Sequence, residues 1–138
     1  MAWREKQAWL ALLVMLVGYT AYFAAVAGSQ RSMLGMLLLF GGVATAQAVI
    51  MIAGRTVLAV LAGKEAQAQA DERDRAIDRR GTHIAYFVLL TGMIVVGVVM
   101  PFNREGWQIS NAALLALAVA EIIRYGVIVA SYRRGWHG

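Results

Sequence analysis

The sequence has no cysteine, one proline (Pro101) and two histidines (His83 and His137). The absence of cysteine excludes disulfides, thiolate metal sites and cysteine nucleophiles. The histidines are isolated and lack metal-ligand spacing, so both read as interfacial side chains. No nucleophile–base set, glycine-rich phosphate loop or metal signature appears, and neither an enzymatic reaction nor a cofactor or metal is expected. Charge is scarce as well: only 15% of the 138 residues are charged, against about 25% in ordinary soluble domains.

What fills the chain instead is apolar. Hydrophobic residues make up 60% of it, the mean hydropathy is +0.61, and 14 glycines suit helices that pack closely. The net charge of +5 would fit a nucleic-acid binder, but no basic stripe is free of interleaved acids, so direct binding of nucleic acid is not expected. Lys and Arg collect instead where a membrane protein needs them beside its spans.

The one long charged run is Asp71-Glu72-Arg73-Asp74-Arg75-Ala76-Ile77-Asp78-Arg79-Arg80. Hydrocarbon cannot accommodate that density of charge, so the run must lie in water. Apolar segments flank it in two pairs, each close to the roughly 20 residues that a helix needs to cross a bilayer. The expected fold is therefore an all-α integral membrane protein, a single membrane domain over 1–138. It has four transmembrane helices as two antiparallel hairpins, with spans near 8–27, 33–54, 82–101 and 111–131. Ala25-Val26-Ala27 also resembles a signal-peptide cleavage site, but the first run is read as span one.

In span two, Gly42 and Ala46 have the small-xxx-small spacing that lets helices approach. Thr45 is expected to bond back to its own helix and Gln47 to bond across to a neighbour, a structural reading preferred to a transport role. Beyond Arg55, Thr56–Leu61 reads either as the same helix running on or as a short interfacial helix, with Gly63 placed to bend it. Residues 55–81 form a cytosolic helical loop that reaches about 20 Å beyond the membrane if unbroken. Gly81 then ends the charged pattern and span three begins. Pro101 ends span three, and Trp107 reads as an interfacial anchor.

Glu121 and Arg124 are the least expected residues, a carboxylate near the middle of span four with a cation one turn later on the same face. A charge at the bilayer centre costs about 2.5–3.5 kcal/mol on insertion scales. An internal Glu121–Arg124 pair turned from lipid, with Tyr125 or Gln47 as hydrogen-bond partners, is the expected solution. It would fix helix register or an oligomer interface. The rival is a proton- or cation-linked site at Glu121, which the nearby cation works against by stabilising the carboxylate. Asp71, Asp74 and Asp78 share a helical stripe, but interleaved arginines make a solvated face the better reading than a metal site.

Asp71-Glu72-Arg73-Asp74-x-x-Ile77, Ile84-Ala85-Tyr86, Glu121-Ile122-Ile123-Arg124-Tyr125 and Tyr132-Arg133-Arg134-Gly135 together resemble a group of uncharacterised bacterial four-span membrane proteins. The resemblance covers mostly the second half. It implies a multi-pass protein of the bacterial inner membrane and carries no activity. Some of those relatives look as if they accompany small DNA-binding regulators, which points to a cytosolic protein partner. Small multidrug transporters also have four spans and one membrane carboxylate, but theirs lies in the first span, which is uncharged here.

The expectation is a structural or regulatory membrane protein in the lipid bilayer that self-associates as a homo-oligomer, docks a cytosolic partner, or both. Docking would use Asp71, Glu72, Arg73, Asp74, Arg75, Ile77 and Asp78. The alternative is a small oligomeric transporter or channel built around Glu121. Ten Lys and Arg flank the termini and middle loop (Arg4, Lys6, Arg55, Lys64, Arg73, Arg75, Arg79, Arg80, Arg133, Arg134), against Arg31 and Arg104 in the hairpin turns. That imbalance places both termini in the cytoplasm. Single cysteines at positions 30 and 104 should accept an impermeant thiol reagent from outside intact cells, and cysteines at 75 and 134 should not. The reverse labelling pattern would invert the topology.

Overall fold

A computed structural model of the chain describes residues 3–136, which leaves the expectation for His137 outside the described residues. All regular structure among these residues is helical. In order come α1 (Trp3–Ala27), α2 (Met33–Ala62), a single turn α3 (Lys64–Gln67), α4 (Glu72–Ile94) and α5 (Gly106–Arg133). Helix α4 continues through a π-helical stretch, Val95–Val99, and a 3-10 turn, Met100–Phe102, before the chain reverses. Four helices are long and apolar enough to cross a membrane: Trp3–Ala27, Met33–Ala62, Glu72–Phe102 and Gly106–Arg133. The chain divides into two compact units, Met1–Ala70 and Asp71–Gly138. Each is built on one antiparallel hairpin.

The first hairpin turns through Gly28–Ser32. Ser29 Oγ donates to the Ala25 carbonyl at 2.9 Å, and Ser32 caps α2 by accepting the Gly35 N–H at 3.1 Å. Below the turn, fully buried Tyr22 meets Phe40 edge-on with ring centroids 5.1 Å apart. Farther along, Gln47 Nε2 donates to the Val14 carbonyl at 3.2 Å. Gly18 makes room for that amide, and Gly54 does the same for Leu10. Met36, Phe40, Gln47, Met51 and Gly54 repeat at the three-and-four spacing of one helix face. Satisfying Gln47 on α1 turns that face inward, so Gly42 and Ala46, expected at a helix contact, are exposed instead. Thr45 donates back to the Gly41 carbonyl at 2.7 Å.

The connection between the hairpins is helical over most of its length, with a break between Gln67 and Glu72. Helix α2 does run on past Arg55, but it stops at Gly63, which caps it with φ +53°. Only Lys64–Gln67 is helical before Ala68 turns extended. The alanines and glutamines here favour helix but present no apolar face, and propensity alone does not hold a short helix in water. Asp71 restarts the chain as an N-cap, with Oδ1 accepting the Asp74 N–H at 2.7 Å. The charged run is therefore the first part of the third long helix, not a separate extension.

Gly81 also differs from expectation. It lies inside α4 and is buried, on one stripe with Ile77, Ala85 and Val96. A Cβ added there would come within 2.7 Å of Ile128 Cγ1 and 3.0 Å of the Arg124 carbonyl oxygen, and one at Gly92 would come within 2.8 Å of Ala116 Cβ. These two glycines let α4 and α5 approach closely, as small residues do between membrane helices. At the far end, Pro101 has no N–H and its ring would crowd the carbonyl four residues back. The helix widens there, and the Met100 N–H reaches the Val95 carbonyl. The reversal ends in a capping box in which Gln108 Oε1 accepts the Glu105 N–H at 3.2 Å.

Gly81→Ala should lower thermal stability in detergent by about 1–3 kcal/mol, since overpacking must push the Arg124 backbone or Ile128 aside. Gly126→Ala, where an added methyl meets nothing within 4 Å, should be neutral or gain up to about 1 kcal/mol. Equal losses at the two positions would refute the close approach at Gly81.

Candidate functional site

The polar chemistry of the second hairpin lies along the seam between the N-terminal part of α4 and the C-terminal part of α5. Asp74 Oδ1 accepts the Tyr132 hydroxyl at 2.7 Å, and Arg80 Nη1 donates to Ser131 Oγ at 3.4 Å. Arg80 also lies over the Trp136 ring, 4.7 Å from its centroid, and Arg73 Nε donates to the Trp136 carbonyl at 3.1 Å. Such neighbours follow from the hairpin itself. Folding the chain about Arg104 brings Asp74 level with Arg134, within a turn of Tyr132, and Arg80 level with Ile128, within a turn of Ser131.

Arg124 does not pair with Glu121. Its Nη2 lies 3.3 Å from Asp78 Oδ1, and its guanidinium carbon sits 5.5 Å from the Tyr125 ring centroid. The contacts of Gly81 with Ile128 and of Gly92 with Ala116 set Arg124 level with Ile84 or Ala85. Asp78 is about six residues nearer the charged end, so the two side chains together cover about 9 Å along the helix. A long side chain on a membrane helix bends toward water when it can. Asp78 offers that route together with an opposite charge, whereas Glu121 offers only the charge and lies deeper. Arg124 Nε is buried and has no hydrogen-bond partner among the described residues.

The other expected site residues fall as follows. Glu121 is half-buried and its carboxylate makes no hydrogen bond or ion pair among the described residues. Gln47 is engaged with the Val14 carbonyl inside the first hairpin. Of the seven residues expected to dock a partner, Asp71 caps α4, and Arg73, Asp74 and Asp78 bond to α5 or the turn after it. Ile77 is fully buried. Asp71 and Asp78 are exposed, and so are Glu72 and Arg75, beside Arg79; the side chains of these last three make no hydrogen bond or ion pair among the described residues. The three aspartates serve separate partners, and among the described residues no group of three or more His, Asp or Glu side chains is placed to hold a metal ion. Sequence reasoning missed Tyr132, Ser131 and Trp136 as seam residues, although the register of a hairpin folded about Arg104 places the first two there.

Asp78 and Arg124 should be coupled in a double-mutant cycle. Their side chains are 62% and 32% exposed, so a coupling of about 0.2–1 kcal/mol is expected between Asp78→Asn and Arg124→Leu in detergent unfolding. Glu121→Gln and Arg124→Leu should be additive. A clear Glu121–Arg124 coupling with none at Asp78 would restore the intrahelical pair.

No curated protein and no solved structure matches the chain. One family model does, over residues 4–136, and it spans both hairpins as well as the charged seam. With nearly the whole chain inside that match, and four helices built to cross a bilayer, the protein belongs to the family described as "Predicted membrane protein (DUF2178)".

Proposed function

We propose that the protein is a structural or regulatory membrane component that works as a homo-oligomer. It lies in the bacterial inner membrane with both termini in the cytoplasm, the orientation that the distribution of Lys and Arg supports. The observation that carries this reading is the destination of the polar side chains. Gln47, Asp74, Asp78, Arg80 and Tyr132 all bond within their own hairpin, which fixes helix register in the manner of a scaffold. The engagement of Asp74 and Asp78 also shrinks the surface left for a cytosolic partner, and this favours self-association over docking.

The face for self-association is on α2. Gly41 and Gly42 have nothing within 4 Å of where a Cβ would stand, and both are exposed with Ala46. They lie among exposed Leu34, Leu38 and Val49. Membrane helices associate through close packing of such small residues, because hydrophobic burial offers no advantage over lipid.

The rival is a transporter or channel at Glu121, favoured by that carboxylate being half-buried and unpaired among the described residues. Size measurement of the full chain in detergent should give an oligomer that Gly42→Leu dissociates. Liposomes carrying the protein should show no proton or cation flux that Glu121→Gln removes. Glu121-dependent flux would establish the rival, and a monomer insensitive to Gly42→Leu would remove the self-association reading.

A further inference from the structure

The acids and bases of the charged run part company in the folded chain. Asp71 caps its helix, Asp74 takes the Tyr132 hydroxyl and Asp78 takes Arg124. Among the described residues, the side chains of Arg75 and Arg79 form no hydrogen bond or ion pair. Glu72 is one turn from Arg75 but forms no ion pair with it. A sequence that looks balanced therefore presents two uncompensated guanidiniums, one turn apart, on an outer face of α4.

They border an open groove of about 570 Å³, lined also by Asp78, Thr82, His83 and Tyr86. Asp78 is the one acid there, and Arg124 neutralises it. The same helix face then changes character. Arg75, Arg79, Thr82, Tyr86, Leu90 and Met93 follow one another at steps of three or four residues, and all are exposed. His83 stands edge-on to Phe87 beside this stripe, with ring centroids 5.0 Å apart.

We infer that this stripe is a binding site for an anionic phospholipid, with the phosphate held by Arg75 and Arg79 and an acyl chain lying along Tyr86, Leu90 and Met93. Two features of the stripe select this occupant. Charge complementarity asks for an anion, and guanidiniums are well suited to phosphate oxygens. The continuation of the stripe into exposed apolar residues asks for an amphiphile with its head at the charged end. A soluble anion would leave Leu90 and Met93 unused, and a second copy of α4 would bring its own Arg75 and Arg79 against these. Tyr86 sits where the two characters meet, the level at which amphipathic rings settle at a membrane surface. This site goes beyond the scaffold reading and does not depend on it, since it lies wholly within α4.

The test is native mass spectrometry of the full chain in a neutral detergent, titrated with phosphatidylglycerol, phosphatidylcholine or inorganic phosphate. Phosphatidylglycerol should bind in preference to phosphatidylcholine. A juxtamembrane cation contributes about 1 kcal/mol of attraction to anionic lipid, so Arg75→Gln or Arg79→Gln should each weaken phosphatidylglycerol binding about 5-fold, and the double variant about 25-fold. Arg104→Gln, which removes an exposed charge from the other end of the hairpin, should leave it unchanged. Leu90→Gln should weaken phosphatidylglycerol binding. Equal binding of the two lipids, equal sensitivity to Arg104→Gln, or inorganic phosphate displacing the lipid at matched concentration would each overturn the proposal. So would a change of oligomeric state in the Arg75/Arg79 variant, which would mark the stripe as a contact between copies. The lipid count is read on whichever oligomer forms, so its failure is separate from a failure of the self-association reading.

Discussion

A guanidinium on a membrane-crossing helix must find an opposite charge or a way back to water, and Arg124 finds both at Asp78. Much of the second hairpin depends on that solution. For Asp78 to lie within reach, the charged run has to be helical and continuous with the apolar helix that follows it. It also has to be held in one register against α5. Asp71 meets the first requirement by capping α4 in water, well before the apolar stretch begins. The Asp74–Tyr132 and Arg80–Ser131 contacts meet the second, since a slip of one residue would separate them.

Close backbone approach is the other half of the same arrangement. A Cβ at Gly81 would come within 3.0 Å of the carbonyl of Arg124 itself, so the residue with the most demanding side chain also sits where the backbones approach closely. The first hairpin follows a similar rule with different chemistry. Gln47 sends its amide to a carbonyl of the opposite helix, and Gly18 clears the space for it. In each hairpin a long polar side chain chooses the face and glycines allow that face to close. Hydrocarbon does not reward apolar burial as water does, so such specific contacts carry a greater share of the selection.

The four long helices were legible in the sequence because apolar runs of this length have few other uses. The turn after the third span was legible too, from the single proline near its end. Gly81 was misread because it follows a polar run, where a glycine looks like a stop. Its role appears only when Ile128 is placed opposite. The partner of Arg124 was missed for a related reason: within one helix Glu121 is the nearest acid, while Asp78 is 46 residues away and becomes close only through the reversal at Asn103–Glu105. The end of α2 at Gly63 and the restart at Asp71 turn on local backbone geometry, against a composition that favours helix throughout.

Helix α2 carries a further consequence in its length. From Met33 to Gly54 it offers 22 residues, about 33 Å, a fair match to the hydrocarbon thickness. It then continues without interruption through Arg55 to Ala62, about 12 Å more, and Val57, Val60 and Leu61 are exposed there. The helix thus has two hydrophobic lengths divided by one cation. A hydrocarbon core of about 30 Å fits the shorter and leaves Val60 and Leu61 in the headgroup region; covering them as well takes a strong tilt that draws Arg55 inward. Tilting trades one mismatch against the other at fractions of a kcal/mol per ångström. Within what its packing against α1 allows, the inclination of α2, and with it the level at which the Gly63 turn emerges, should respond to the thickness of the surrounding membrane.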